Sequence, residues 1–180
     1  MCNANYNVSS IETAGSGNRS LFWQGADMDR TLQQLSISHC YEAPAEVVFL
    51  YWLDEQYAGR WLFTHPDAKL QQADIDARVG GRFRIVENRN GRELVHWGEY
   101  LQISPPQQLL FSLYPPRRQA EPDLVWITIL PMPFGCELTL TLQLYDDKRA
   151  KARLIDDWTQ LLMALAVELN HQPAHYQNND

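Results

Sequence analysis

The chain reads as an α+β domain, a curved antiparallel sheet with one long helix lying across its open face. Two observations predict it. Short runs of alternating apolar and polar residues, separated by Gly, Asn and Pro, fill most of the chain from Leu70 to Tyr145. One amphipathic stretch, about Lys148 to Leu169, then closes it. Strands whose apolar residues recur every second position bury one face, and a helix with an apolar stripe must lie on something equally apolar. The inward face of the strands is the one partner large enough, and a layout of this kind often encloses a ligand-sized space.

Residues 1–30 form a polar N-terminal extension. Met1 to Arg19 is rich in Asn, Ser, Gly and Thr, buries little apolar surface and is expected to be partly mobile, with Leu21-Phe22-Trp23 as an ordered arm. The domain proper spans residues 31–171, and 172–180 is a polar tail. Leu35, Ile37, His39 and Tyr41 alternate with Ser36, Ser38 and Cys40, the pattern of a half-buried strand. Pro44 suits a first helical position and Glu46 a first turn, so a helix should start there and carry Val47, Val48, Leu50 and Tyr51 inward. A second short helix is expected around Gln56 to Leu62.

The next strand is expected to include Asp74 to Val79, with Asp74, Asp76 and Arg78 as a solvated row, and Gly80-Gly81 as the turn after it. Phe83 and Ile85 then oppose Arg82 and Arg84, and Asn88-Arg89-Asn90-Gly91 signals a hairpin. Val95, Trp97, Leu101 and Ile103 share one face of the following strand, which stops at Pro105-Pro106 because proline cannot donate to a ladder. Leu109, Phe111 and Leu113 form another strand, ended by Pro115-Pro116. Two more follow, near Val125 to Leu130 and Cys136 to Tyr145. In the closing helix Leu154, Trp158, Leu161, Leu162, Leu165 and Leu169 fall at offsets of three and four, a single stripe.

Composition limits the partners. At 180 residues, 45% hydrophobic and 21% charged, the chain holds one domain with a substantial core. A net charge of -7 with no Lys or Arg run argues against nucleic acid and anionic membrane surfaces, since phosphate binding needs clustered cations. No apolar run approaches the roughly 18 residues of a membrane span, and the N-terminus lacks the basic-then-apolar layout of a signal peptide. Cys2, Cys40 and Cys136 are odd in number and contain no CxxC pair, which fits a reducing cytoplasm better than a disulfide framework. A monomer and a homodimer both satisfy this composition.

The landmarks resemble those of the START-like or SRPBCC superfamily, and within it the group related to the activator of the heat-shock-protein-90 ATPase. They are Ala43-Pro44 with Glu46-Val47, Trp61, Asp76-Ala77-Arg78-Val79-Gly80-Gly81, Gly98-Glu99-Tyr100-Leu101-Gln102-Ile103 running into Pro105-Pro106, Leu109 to Ser112, and Trp158. The resemblance implies a helix-grip (START/Bet v-like) fold, in which the sheet wraps the C-terminal helix around a cavity. His39 stands where many relatives have an arginine. Membership leaves function open, because this fold hosts lipid carriers, receptors, cyclases and chaperone activators.

Chemistry-bearing motifs are few. No GxSxG, P-loop, GxGxxG or HExxH pattern occurs and no cysteine has an activating neighbour, so the sequence implies neither a catalytic residue nor a cofactor. His171 and His175 have metal-ligand spacing, but Pro173 breaks the helix that would aim both at one ion, so no metal is expected. A hydrogen-bonded structural role fits His39 better than catalysis. The expected ligand wall is aromatic: Trp52, Trp61, Phe83, Trp97, Phe111, Trp126 and Trp158, with Leu162, Leu165 and, at the rim, His65. Glu99 alternates with Trp97 and Leu101, which makes it a cavity carboxylate if that face looks inward; His96 and Tyr100 share the other face, and one set alone can do so. The reading is a binder of a small, mainly apolar molecule. A chaperone-regulating module and a cyclase-type enzyme are the alternatives, and a cavity filled by its own side chains is the competing arrangement.

Overall fold

The computed structural model describes residues 5–9, 32–63, 68–114, 122–145 and 148–171. Eight strands form one antiparallel sheet: β1 (Asn5–Ser9), β2 (Leu32–Tyr41), β3 (Ala68–Ile75), β4 (Arg82–Arg89), β5 (Arg92–Ser104), β6 (Gln108–Leu113), β7 (Asp123–Met132) and β8 (Gly135–Tyr145). Their spatial order is β1-β2-β8-β7-β6-β5-β4-β3. Helices α1 (Ala45–Leu53) and α2 (Glu55–Trp61) connect β2 to β3, and α3 (Lys148–Asn170) ends the fold. This is the α+β helix-grip arrangement expected from the strand-then-helix order. A strand at Asn5–Ser9 was not expected; it pairs with β2 from Ser38 back to Gln34.

The core lies between the sheet and α3. Alternation sends Leu35 and Ile37 of β2, Phe111 of β6, Val125 and Ile127 of β7 and Leu138, Leu140 and Leu142 of β8 inward, all fully buried. Trp158, Leu162 and Leu165 are buried beneath α3, with Leu154, Leu161 and Leu169 packed beside them, as the stripe requires. The Tyr41 hydroxyl donates to the Leu162 carbonyl at 3.0 Å and so ties β2 to the middle of α3. Asp54 ends α1 and opens α2, its side chain accepting from Gln56 N at 2.8 Å as an N-cap.

Three local readings are corrected. β3 ends at Ile75 and does not reach Val79, which is 60% exposed. The chain turns there because Arg78 N donates to Asp76 O, Gly81 N donates to Arg78 O, and Gly80 takes a φ of +78°, which costs glycine little. In β5 the register shifts between Tyr100 and Gln102. The extra residue of a bulge reverses the parity, so the inward set is His96, Gly98 and Tyr100 before it and Ile103 after it. The Asn90-Gly91 signal holds, with both residues at positive φ between Arg89 and Arg92, the two-residue turn that matches strand twist.

The third correction concerns the thiols. Cys40 is disulfide-bonded, its partner lying outside the described residues, whereas Cys136 is a buried free thiol. No helix among the described residues is long and apolar enough to cross a membrane.

Candidate functional site

An unbroken run of rings lines the inner face. Trp61 meets Trp52 edge-on at 4.7 Å, Trp52 lies 6.2 Å from Phe111, and Phe111 meets Phe83 edge-on at 5.4 Å. Phe63, in the turn after α2, stacks on Phe83 at 6.4 Å and on the His96 ring at 4.5 Å, and meets Trp158 of α3 edge-on at 5.8 Å. Two backbone anchors hold this wall: Trp61 Nε1 donates to Tyr51 O, and the Tyr100 hydroxyl donates to Trp52 O. Of the residues expected from the sequence, Trp52, Trp61, Phe83, Phe111, Trp158, Leu162 and Leu165 are brought together here.

Trp97, Glu99 and Trp126 are not. They project from the opposite face of the sheet: Trp97 and Trp126 are 39% and 37% exposed, and Trp97 stacks flat on Tyr114 at 3.9 Å. The Glu99 side chain is 38% exposed and faces Arg82 at 3.6 Å, so it is a surface ion-pair partner rather than a carboxylate beneath α3. Parity decides this, since Gly98 and Tyr100 point inward. His65 lies outside the described residues.

The polar feature of the inner face is one the sequence reading passed over. Phe83, Ile85, Glu87 and Arg89 occupy one face of β4, and Glu87 is completely buried. Its Oε1 accepts from Arg89 Nη2 at 2.7 Å and lies 3.4 Å from His96 Nε2 on the neighbouring strand. Glu87 Oε2 and Arg89 Nε, both buried, have no hydrogen-bond partner among the described residues, and neither has Trp52 Nε1. Buried polar atoms are nearly always satisfied, so orphans of this kind mark places where water or a ligand belongs. Extending the Phe83, Ile85 alternation by one more step would have put Glu87 inside. Among the described residues no group of three His, Cys, Asp or Glu could hold a metal.

Burial pushes the His96 imidazole below its ordinary value of 6.5; Glu87 acts the other way through a hydrogen bond and its charge, and Arg89 lowers it further. His39, tilted against the Tyr41 ring, is also lowered by burial. As pH falls the unfolded chain therefore takes up these protons first. The stability tied to neutral His96 is complete above about pH 6.5 and is lost as pH drops below it toward the depressed folded value. Denaturation midpoints should accordingly fall between about pH 7 and pH 5.5, and His96→Phe, which keeps a ring on Phe63, should flatten that slope. An unchanged slope in the variant would assign the pH dependence to other groups.

A family model described as Activator of Hsp90 ATPase homolog 1-like protein matches residues 42–170. No curated protein matches the chain. Among solved structures, a protein from Rhizobium leguminosarum superimposes with a TM-score of 0.70 at 18% identity, covering 80% of this chain and 98% of its own. The AHSA1-like protein from Aeromonas hydrophila gives 0.65 at 20% identity, covering 79% and 99%. A protein from Chromobacterium violaceum gives 0.65 at 22%, covering 74% and 94%. At these identities the likeness is one of fold.

Proposed function

Because the chain belongs to the Activator of Hsp90 ATPase homolog 1-like family, a helix-grip fold with its aromatic face turned toward a long helix, we propose that it binds a small, mainly apolar molecule between α3 and the sheet. The observation that carries this reading is Glu87, a completely buried carboxylate with one oxygen left without a partner among the described residues. Such an atom is costly unless something meets it, and the aromatic wall reaches it through His96, whose ring contacts Glu87 and stacks on Phe63. An apolar fluorescent probe such as N-phenyl-1-naphthylamine should bind with one-to-one stoichiometry and quench tryptophan emission, because Trp158 lies at the proposed site. Unchanged tryptophan emission with no saturable probe signal would defeat the reading.

A second reading, a chaperone-regulating interaction module, is favoured by the exposed aromatics Trp97 and Trp126 on the outer face. It does not use the inner face, so it is the reading left standing if no apolar probe binds.

A further inference from the structure

The β7–β8 hairpin turns its apolar residues outward at the tip. Met132 pairs with Gly135, so Pro133 and Phe134 form a two-residue connection, and Phe134 is 91% exposed. Leu130, at the end of β7, is 54% exposed, and Pro131 and Pro133 are exposed as well. Hairpin connections ordinarily carry Gly, Asn or Asp, whereas Leu130 to Phe134 contains no polar side chain. The tip is also held in place. Gly135 takes a φ of +106°, and a Cβ there would overlap the Tyr41 carbonyl oxygen and crowd Glu42 Cα, so the turn rests directly on the junction between β2 and α1. An exposed ring on a turn stiffened by two prolines loses little conformational freedom when it docks.

The charges around the tip have one sign. The Gly135 contact sets Glu42 beside it, and Glu137 lies opposite Leu130 in the ladder. Burial pushes the Cys136 thiol up to about 11 and the Glu46 charge adds to the shift, which puts Glu46, in the first turn of α1, near the strand pair at the base of the tip. The β5–β6 turn reaches the same end, where Gln107 O accepts from Ile129 N. Residues 39–59, 101–114 and 122–145, which build this end, contain no Lys or Arg. Among the described residues none of the three carboxylates is paired with a cation.

We propose that the β7–β8 tip and the start of α1 form a docking surface for another protein, contacted through a segment with an apolar centre bordered by Lys or Arg. The surface uses no residue beneath α3, so it stands or falls independently of what binds there. Exposed apolar residues rimmed by charge mark interaction surfaces, and here the sign of the charge selects the occupant. A second copy docked tip to tip would set Glu42, Glu46 and Glu137 against their own counterparts, because a two-fold interface brings the same patch from both sides. An anionic bilayer would repel the same three carboxylates. A basic partner meets all three with attraction, which also speeds its encounter with this end of the fold.

The test uses the full chain and a short fluorescein-labelled peptide of Leu and Lys at helical spacing, titrated by anisotropy. Comparisons are the same peptide with Glu for every Lys, and vesicles of phosphatidylcholine with and without phosphatidylserine. The Leu/Lys peptide should bind saturably, and Phe134→Ser with Leu130→Ser should weaken it about tenfold, as for loss of an interface anchor. Both side chains are exposed, so this variant should melt with the parent. Glu42→Gln with Glu46→Gln and Glu137→Gln should weaken binding by a similar factor. Glu93→Gln with Asp156→Asn and Asp157→Asn removes the same charge from exposed positions at the β4–β5 turn and in the first half of α3, and should change binding by less than about twofold. An equal loss in that second set would reduce the attraction to net charge and overturn the site. Parental affinity in the Phe134 and Leu130 variant would show that the tip is not the contact. Equal or tighter binding of the Glu peptide, or no saturable binding of the Lys peptide, would overturn the partner chemistry. Vesicle binding that the tip variant loses would assign the surface to lipid, and dimerisation that it loses would assign it to a second copy; either result overturns the proposal.

Discussion

Trp158→Ala should cost about 3–5 kcal/mol of folding stability, as for other deletions of a large buried aromatic side chain. Trp158 is 3% exposed and closes the space between α3 and the sheet, meeting Phe63 edge-on at 5.8 Å. Removing the indole abolishes its transfer free energy and leaves a hole that Leu162 and Leu165, fixed one and two turns along the same helix, cannot fill without moving α3. Tyr41 resists that movement, since its hydroxyl holds the Leu162 carbonyl. For a domain of this size the loss corresponds to a fall in melting temperature of roughly 6–20 °C. Calorimetry or urea denaturation reads it directly. Trp158→Phe should recover part of the loss, and an unchanged midpoint for the alanine variant would mean that α3 does not rest on Trp158.

Gly98→Ala should be damaging although it adds a single methyl group. The backbone of Gly98 lies so close to β6 that a Cβ there would overlap the Ser112 carbonyl oxygen, and it would come within 2.7 Å of two ring carbons of Phe83. Neither neighbour is free to yield. Ser112 Oγ accepts from Glu99 N at 3.1 Å, and Phe83 is enclosed by Phe63, Tyr100 and Phe111. The methyl group must therefore push β5 from β6 or drive Phe83 off its position, and overpacking of this kind costs about 1–3 kcal/mol or more. Because the strain falls on the aromatic wall, the variant should bind apolar probes more weakly as well as unfold at lower denaturant. A midpoint within experimental error of the parent would show that β5 can shift freely, and would count against the tight β5–β6 approach.

Periodicity reached far into this fold because period-two and period-3.6 patterns report burial directly. Leu138, Leu140 and Leu142 on β8 and the Leu154-to-Leu169 stripe on α3 were legible for that reason, as was the Asn90-Gly91 turn, where two positive φ angles leave few residue choices. Local patterns were silent on parity in β5. There both faces carry apolar residues, and the bulge after Tyr100 switches which of them points inward, so Val95, Trp97, Leu101 and Ile103 read as one face although Ile103 lies on the other side of the sheet from Trp97.

The sequence by itself determined the class of fold, the order of strands before helix, the stripe that α3 buries and most of the aromatic wall, since each follows from side-chain hydrophobicity at a regular spacing. The tertiary structure decided between two carboxylates that alternation alone would each have placed inside. Glu87 and Glu99 are both strand glutamates two positions after a large apolar residue, Ile85 and Trp97. One ends completely buried against Arg89 and His96, and the other half-exposed beside Arg82. Gly98 likewise entered as a landmark without a reason, and its reason is the carbonyl of Ser112, fourteen positions away in the chain and in contact across the sheet. Burial, parity across a bulge and close backbone approach are properties of strands already paired, so no local run of residues encodes them.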